Sequence, residues 1–455
     1  MKLRRLVFPV FILLMAVLMS ACEKGSLIHT VDSLLTPPLY YSEYEGLVSA
    51  FNSELEGNVI LSNPAGGDHL SAITVSDLNG DSAEDAIILY RNTLESNTVQ
   101  LSVFSFADGV WKKSVSFNGY GNVVDSLTVE DMDGDGISEI VVVWNYQGIG
   151  NAKVFTVYRS LSDSSSYEEI KTQTCDAVEI ADMDDDRQSE VLYILSENSG
   201  NIIKRTANLI KLSKKDFVTM GSVSLDPNVG AYVSVKREKY NSHYPMKVYF
   251  DAEKNSNMMI TEVVYWDSEK KTLIAPMFDG KTDSNSVTLR YEQIHCADIN
   301  NDGMIEIPVQ SPPSEKTEET SSPEGAAEAK PLPADDTLPV TNWVYFVGLM
   351  PASQLSTWVN LQDGYYIRLD NDKGKDYVVR ESEEDGVHYY QVCSGKTVLF
   401  SVFTVSRKDY ESGNSSSDVD ILKFTDKVIL AKTEAAGEKQ GFDAEQIRKT
   451  VVKLP

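Results

Sequence analysis

Cysteine and histidine are scarce in this sequence, which holds 4 cysteines and 5 histidines in 455 residues. The cysteines, Cys22, Cys175, Cys296 and Cys393, lie far apart and form no C-x-x-C pair. Their spacing therefore predicts neither a zinc site nor a disulfide framework. We expect buried or partly buried thiols at the last three positions, with one disulfide in an oxidising compartment as the alternative.

Basic residues are also few. Lysine and arginine number 41 against 68 aspartates and glutamates, which gives a formal net charge of -27. A surface of this charge repels nucleic acid, so no nucleic-acid partner is expected. Divalent cations or cationic partners are what it would attract.

Long apolar runs are missing except near the N-terminus, where basic residues precede an apolar segment over residues 6–19. This segment is shorter than the roughly 20 residues that a membrane-spanning helix needs. Residues 1–21 resemble a bacterial lipoprotein signal peptide, and the resemblance implies that Cys22 is lipidated. An ordinary signal peptide with a chance cysteine is the alternative. The expected location is extracytoplasmic, with the chain lipid-anchored to the cell membrane or outer membrane of a bacterium.

Short apolar runs broken by Gly, Asn, Asp and Ser dominate the chain and predict a mainly β fold. Four nine-residue acidic segments, here called loops 1 to 4, align without gaps at residues 77–85, 131–139, 182–190 and 298–306. The first three start 54 and 51 residues apart, which suits a four-stranded propeller blade. The 116 residues from the start of loop 3 to loop 4 leave room for a decayed copy, placed at 251–266 because Glu262 there matches Glu139.

The loops carry oxygen ligands at positions 1, 3, 5 and 9, and the carbonyl group of position 7 is available as well. Ca²⁺ takes six to eight such oxygens, whereas zinc or copper prefers nitrogen or sulfur ligands. An EF-hand does not fit, because its glutamate at position 12 is missing from all four loops. The predicted ligands are Asp77, Asn79, Asp81 and Asp85 in loop 1, Asp131, Asp133, Asp135, Ile137 and Glu139 in loop 2, Asp182, Asp184, Asp186 and Glu190 in loop 3, and Asp298, Asn300, Asp302 and Glu306 in loop 4.

Loop 2 is the best predicted calcium site, because it has a full set of acids and Gly136 permits a sharp turn. Loops 1 and 4 replace one acid with Asn79 and Asn300. In loop 3, Arg187 occupies the turn position and leaves the geometry the least well defined.

These loops resemble those of FG-GAP or VCBS-type repeats, the calcium-loop blades of β-propellers. The resemblance covers roughly residues 40–310 and rests on the acidic loop and the strand after it, since the Phe-Gly and Gly-Ala-Pro signatures are largely absent. It implies a propeller-like repeat domain of about 5–7 blades, in which calcium stiffens the blades and partners bind at loops on one face. The loop acids would then be structural ligands rather than catalytic groups.

The sequence predicts three further regions around these repeats. A tether over residues 22–36 leads into the propeller at 37–355, which contains a disordered insertion rich in Pro, Glu and Ser at 311–337. An interdomain linker is the alternative to the insertion. Residues 356–455 are predicted as a small C-terminal α+β domain, or alternatively as closing blades, with a short helix capped by Asp443.

Motifs for catalysis are missing as well: no nucleophile elbow, zinc-protease helix or phosphate-binding loop occurs. The sequence therefore favours a non-enzymatic, calcium-stabilised binding or scaffold module whose ligand is a protein or a glycan. A surface hydrolase or lyase acting on glycans or phosphate esters is the alternative, because a catalytic pair of carboxylates can hide among so many acids.

Overall fold

The computed structural model describes residues 44–54, 59–92, 98–146, 152–161, 166–200, 202–238, 245–254, 258–311, 337–347, 350–369, 377–412 and 419–455. The predicted signal peptide, the lipidation site at Cys22 and the tether lie outside the described residues, as does most of the predicted insertion. The described chain is mainly β, as predicted, and contains six antiparallel sheets.

The first sheet is covered on one face by helix α1 (Glu45–Glu54). Leu47 and Phe51 lie one turn apart on this helix and pack in a cluster with Phe104 and Trp111 of the sheet. Strands β1 and β2 pair with successive parts of β3 and so form the same edge of the sheet. The strands are β1 (Val59–Leu61), β2 (Ile73–Ser76), β3 (Asp85–Asn92), β4 (Gln100–Ala107) and β5 (Val110–Asn118).

The next three sheets are four-stranded meanders, in which each strand pairs with its neighbour along the chain. Their central strands read as continuous apolar runs because both faces are buried. The second sheet contains β6 (Gly121–Glu130), β7 (Glu139–Tyr146), β8 (Lys153–Ser160) and β9 (Tyr167–Cys175). The third contains β10 (Ala177–Ala181), β11 (Glu190–Ser199), β12 (Ile202–Ser213) and β13 (Asp216–Ser224). The fourth contains β14 (Ala231–Arg237), β15 (Lys247–Glu253), β16 (Met259–Asp267) and β17 (Thr272–Ile274).

The fourth sheet occupies the gap between loops 3 and 4, where the spacing predicts a further repeat. The predicted match of Glu262 to Glu139 is wrong in position, because Glu262 lies on the third strand of its sheet and Glu139 begins a second strand. The segment between β14 and β15 contains no aspartate. The repeat is therefore present as a sheet, without an acidic loop between its first two strands.

The fifth sheet combines distant parts of the chain. Ile307 pairs opposite Val344, so the predicted insertion connects two adjacent strands, as the insertion hypothesis requires. The predicted boundary at residue 355 lies within β20, and the C-terminal strand β27 returns to pair with β21. The strands are β18 (Ile307–Gln310), β19 (Thr341–Val347), β20 (Met350–Asn360), β21 (Tyr365–Arg368) and β27 (Val451–Lys453).

The sixth sheet and three short helices complete the described chain. Its strands are β22 (Tyr377–Glu384), β23 (Val387–Ser394), β24 (Thr397–Ser406), β25 (Val419–Lys423) and β26 (Lys427–Thr433), and the helices are α2 (Arg407–Glu411), α3 (Ala435–Glu438) and α4 (Ala444–Thr450). The predicted cap of α4 is confirmed, because the Asp443 carboxylate accepts the Gln446 N–H at 2.9 Å. Phe442 and Ile447 are buried in one cluster, as a hydrophobic staple requires.

Successive sheets pack face to face in chain order. Five apolar clusters join the first sheet to the second and so on to the sixth. Trp144 is fully buried between the first two sheets, where its indole N–H donates to Thr156 Oγ1 at 2.8 Å. Within the described residues no such cluster joins the first sheet to the sixth, and no closed ring is seen.

The three cysteines of the described chain, Cys175, Cys296 and Cys393, are buried and unpaired. Burial is the dominant influence on each of them, and it raises the pKa of the Cys175 thiol to about 12. None of the described helices combines the length and apolar character needed to cross a bilayer.

Candidate functional site

All four acidic loops lie at the same place in their sheets. Loop 1 connects β2 to β3, loop 2 connects β6 to β7, and loop 3 connects β10 to β11. Loop 4 is flanked by a bridge between Ala297 and Glu306 and leads into β18. The gap-free sequence alignment therefore corresponds to one structural position.

One hydrogen-bond pattern holds each loop in shape. The position 1 carboxylate accepts the backbone N–H of position 6 at 2.8 or 2.9 Å in every loop. The position 5 carboxylate accepts the N–H of position 7, at 2.9 Å from Ile137 to Asp135 in loop 2. The second oxygen of each position 1 acid also accepts an N–H of its own loop, from position 4 or 5. The position 1 acids therefore hold the turn with both oxygens, whereas the position 5 acids use one oxygen for the N–H of position 7.

The turn at position 6 needs a left-handed backbone in all four loops. Its φ angle is 67° at Ser82, 87° at Gly136, 74° at Arg187 and 90° at Gly303. Glycine accepts this conformation freely, whereas other residues adopt it at some cost. Arg187 nevertheless makes the same turn and donates the same N–H to Asp182 at 2.8 Å, so loop 3 has the geometry of the others.

The position 9 acids are buried beneath their loops. Each accepts the N–H of position 2, at 3.1 Å for Asp85, 2.9 Å for Glu139, 2.8 Å for Glu190 and 3.1 Å for Glu306. Burial raises the pKa of each of the three glutamates to about 7, and it also raises the pKa of Asp85. A nearby cation would favour the charged form of these groups.

Only loops 2 and 3, among the described residues, bring three acidic ligand atoms within 4.8 Å of one another. These groups are Asp131, Asp133 and Glu139, and Asp182, Asp184 and Glu190. Each of the two acidic clusters could hold a metal ion. Loop 4 has an amide at position 3, and the Asn300 amide donates to Asp302 Oδ2 at 2.9 Å and to Glu306 Oε1 at 3.1 Å.

A basic side chain from the third strand approaches loop 2. The Arg159 guanidinium lies 3.1 Å from Asp133 Oδ2 and 3.6 Å from Glu139 Oε1, and it also bonds to Asp135. Two buried oxygens, Asp133 Oδ1 and Glu139 Oε1, still lack a hydrogen bond. Loop 2 thus retains acceptor atoms that a cation would satisfy.

In loop 3 the equivalent basic group is Lys211. Its ammonium lies 3.2 and 3.3 Å from the two Asp184 oxygens, 2.7 Å from Asp186 Oδ2 and 2.6 Å from Glu190 Oε1. Burial alone would lower the pKa of Lys211, but its hydrogen bonds to Asp186 and Glu190 outweigh burial and raise the pKa above its ordinary value. The charged form is therefore firmly held.

A cavity of about 690 Å³ is lined by residues of four successive sheets. Its walls are residues 65–68 before β2, parts of the first strands β6, β10 and β14, and the end of β7 with the start of β8. Asp68, Asp125, Glu179 and Arg237 are among its lining residues, and Tyr146 adds an aromatic side chain that is 36% exposed. Arg237 donates to the Ile180 carbonyl oxygen at 2.7 Å and lies 3.4 Å from Glu179 Oε1.

Glu179 has the most altered carboxyl group of this cavity. Burial raises its pKa to about 7, although the positive charge of Arg237 acts in the opposite direction. The cavity therefore combines a polar wall, an accessible aromatic ring and a carboxyl group that can be protonated near neutral pH.

Comparisons with known proteins add little to this geometry. No protein-family model matches the chain, and no curated protein does. One solved structure with some similarity is Bacillus licheniformis Rhamnogalacturonan Lyase PL11, with a TM-score of 0.28 and 11% identity over 83% of this chain and 72% of that chain. Neither value supports a transfer of activity.

Proposed function

We propose that this protein is an extracytoplasmic lipoprotein, anchored through Cys22, whose stacked sheets form a propeller-like binding or scaffold module. The proposed ligand is a protein or a glycan, and the proposed role is not enzymatic. The anchor rests on the signal-like segment at residues 1–21. The propeller rests on four equivalent acidic loops and on face-to-face packing of six successive sheets. The fifth and sixth sheets support the interpretation of residues 356–455 as closing blades.

The cavity lined by the first four sheets is the observation that carries the binding role. Its volume of about 690 Å³ lies within the range of ordinary ligand sites. Polar and charged side chains from several sheets converge there, with Tyr146 accessible to a partner. Aromatic side chains of this kind often supply much of the binding energy at protein interfaces.

Replacing Tyr146 with alanine is expected to reduce capture of the partner about tenfold, because loss of one central aromatic contact costs about 1.4 kcal/mol or more. The measurement is crosslinking in intact cells followed by pull-down, with binding to immobilised polysaccharides as the glycan arm. Ile202→Ala is the control, since Ile202, the first residue of β12, is 71% exposed and does not line the cavity. Equal capture by all three proteins would contradict a role for the cavity.

A hydrolase or lyase is the second candidate, and Glu179 is the observation that favours it. A carboxyl group with a pKa of about 7 in a cavity suits proton transfer. The same polysaccharides distinguish the candidates: a binding module retains them intact, whereas an enzyme releases shorter products and loses this activity in Glu179→Gln.

We further propose that calcium stiffens this module and that loop 2 holds it. The fit rests on the two buried oxygens without hydrogen bonds, Asp133 Oδ1 and Glu139 Oε1. Asp131, Asp133, Asp135 and Glu139 would hold the ion, together with the Ile137 carbonyl. A bound divalent cation would neutralise these buried charges and fix the turn between β6 and β7.

Excess EGTA is expected to lower the melting temperature by several degrees. A cation at about one hundred times its Kd adds about 2.7 kcal/mol of stability, and each kcal/mol is worth roughly 2–4 °C in a domain of 150–250 residues. Glu139→Gln should lose most of the difference between calcium and EGTA. The amide keeps an oxygen for the Met132 N–H but removes the charge. Scanning calorimetry in both buffers measures this, and a calcium titration gives the number of ions bound.

Glu383→Gln is the control for that variant, because the Glu383 side chain is 61% exposed and lies outside the loops. It should melt like the wild type in both buffers. Identical wild-type melting curves with and without EGTA, together with no heat of calcium binding, would refute the calcium proposal.

A further inference from the structure

We propose that Lys211 is a built-in counter-ion that takes the place of a divalent cation in loop 3. This loop would then keep its shape without metal. The inference accepts the proposed calcium role for loop 2 and assigns a different mechanism to its neighbour.

The strand that begins at or just after each position 9 acid pairs with the next strand along the chain, and this pairing places one residue beside the acid. Asp85 pairs with Ser105 in the first sheet. The pairings of Ile140 with Tyr158 and of Val191 with Ile210 put Arg159 beside Glu139 and Lys211 beside Glu190. The pairing of Ile307 with Val344 likewise puts Tyr345 beside Glu306. The residue type at this one position therefore differs between loops whose backbones are alike.

Lys211 contacts the same oxygens that would coordinate a metal. Its ammonium touches the acids of positions 3, 5 and 9, at 2.6 to 3.3 Å. A calcium ion 2.3–2.6 Å from those oxygens would need nearly the same place, so ammonium and metal exclude one another. Glu190 keeps no free acceptor, because its second oxygen accepts the Met183 N–H at 2.8 Å.

Loop 2 shows that a basic residue beside the loop does not by itself exclude a metal ion. The planar guanidinium of Arg159 is also directed to the Lys214 carbonyl oxygen, outside the loop, and it leaves two buried loop oxygens without a hydrogen bond. The compact ammonium of Lys211 is a point charge with three donors, which suits three converging carboxylates better. Loop 3 therefore does not fit the predicted calcium ion, although its carboxylates are suitable ligands.

The test is to remove the counter-ion and ask whether the loop then requires metal. Lys211→Ser introduces the residue type that stands at this position in loop 1. We expect its melting temperature in EGTA to fall by several degrees relative to the wild type and to recover in millimolar calcium. We also expect calorimetric titration to find one more calcium ion per molecule than in the wild type. Lys211→Gln, which is longer and still polar, should show the same calcium requirement with a smaller loss.

Lys204→Ser is the matched control, since Lys204 is exposed on the same strand. It should change neither the melting temperature nor the number of bound ions. The inference is overturned if Lys211→Ser and Lys211→Gln are equally destabilised in calcium and in EGTA, or if they bind no additional ion. A wild type without any calcium binding would refute the role of loop 2 alone, because the gain of an ion in the Lys211 variants is measured separately.

Discussion

Replacing Arg290 with methionine is expected to lower the free energy of unfolding by about 3–5 kcal/mol, the usual cost of removing one partner of a buried ion pair. Arg290 and Asp251 are both fully buried, and Arg290 Nη2 donates to Asp251 Oδ1 at 2.8 Å. The guanidinium also donates to Thr261 Oγ1 at 3.0 Å and to the Ile294 carbonyl oxygen. Urea unfolding of both proteins at neutral pH measures the loss.

The size of the effect follows from what the substitution leaves behind. Burial opposes ionisation of Asp251, but a hydrogen bond with His295 and the charge of Arg290 outweigh it and hold the pKa below its ordinary value. Methionine fills a similar volume but offers no donor, so a charged carboxylate remains in the core.

An exposed pair provides the control for Arg290. Arg407 bonds to Glu411 at 2.8 Å, but the side chains are 41% and 61% exposed. Arg407→Met should therefore cost less than about 1 kcal/mol. A loss of that small size for Arg290→Met as well would show that the pair contributes little to stability.

Replacing Glu262 with glutamine is expected to remove part of the pH dependence of stability. Burial raises the pKa of Glu262 to about 7, helped by the negative charge of Asp226, while the Asp226 N–H at 2.9 Å acts in the opposite direction. The unfolded chain ionises this group near its ordinary value of 4.5. Between these two values the folded state holds more protons, so the stability that Glu262 contributes falls as pH rises from about 4.5 to about 7.

The expected difference is on the order of 3 kcal/mol, since each pKa unit corresponds to about 1.4 kcal/mol. Urea unfolding of wild type and Glu262→Gln at pH 4.5 and pH 7.5 isolates this contribution, because the other buried acids titrate in both proteins. Glu445→Gln, at a side chain that is 79% exposed, serves as the control. Parallel pH profiles for wild type and Glu262→Gln would contradict the assignment.

The strands and the acidic loops could be predicted because their signals are local. Apolar runs such as residues 140–144 form buried strands, and the alignment of the loops placed four equivalent turns correctly. The cap at Asp443 was predictable for the same reason, since its partner Gln446 is three residues away. The left-handed turn at Arg187 was missed, because carboxylate hydrogen bonds overcame the preference of that side chain.

The basic groups beside the loops could not be inferred from the loops alone. Arg159 and Lys211 follow their acids by about 20 residues, and only strand pairing brings them together. Aligning strands β4, β8, β12 and β19 along with the loops would have revealed the Ser, Arg, Lys and Tyr at this position. The predicted match of Glu262 to Glu139 was wrong for a related reason. Glu262 accepts a backbone N–H just as Glu139 does, but from a residue on a distant segment, and sequence similarity does not distinguish a local partner from a remote one.

The pairing of β27 with β21 sets an order of assembly. The second, third and fourth sheets are built from consecutive hairpins, so each can form as soon as its own residues have been synthesised. The fifth sheet cannot be completed until the C-terminal residues have been synthesised, because Ile367 pairs with Val451 near the end of the chain. During biogenesis one edge of that sheet is therefore left without its strand until the last residues arrive, and edges in this state are where aggregation begins.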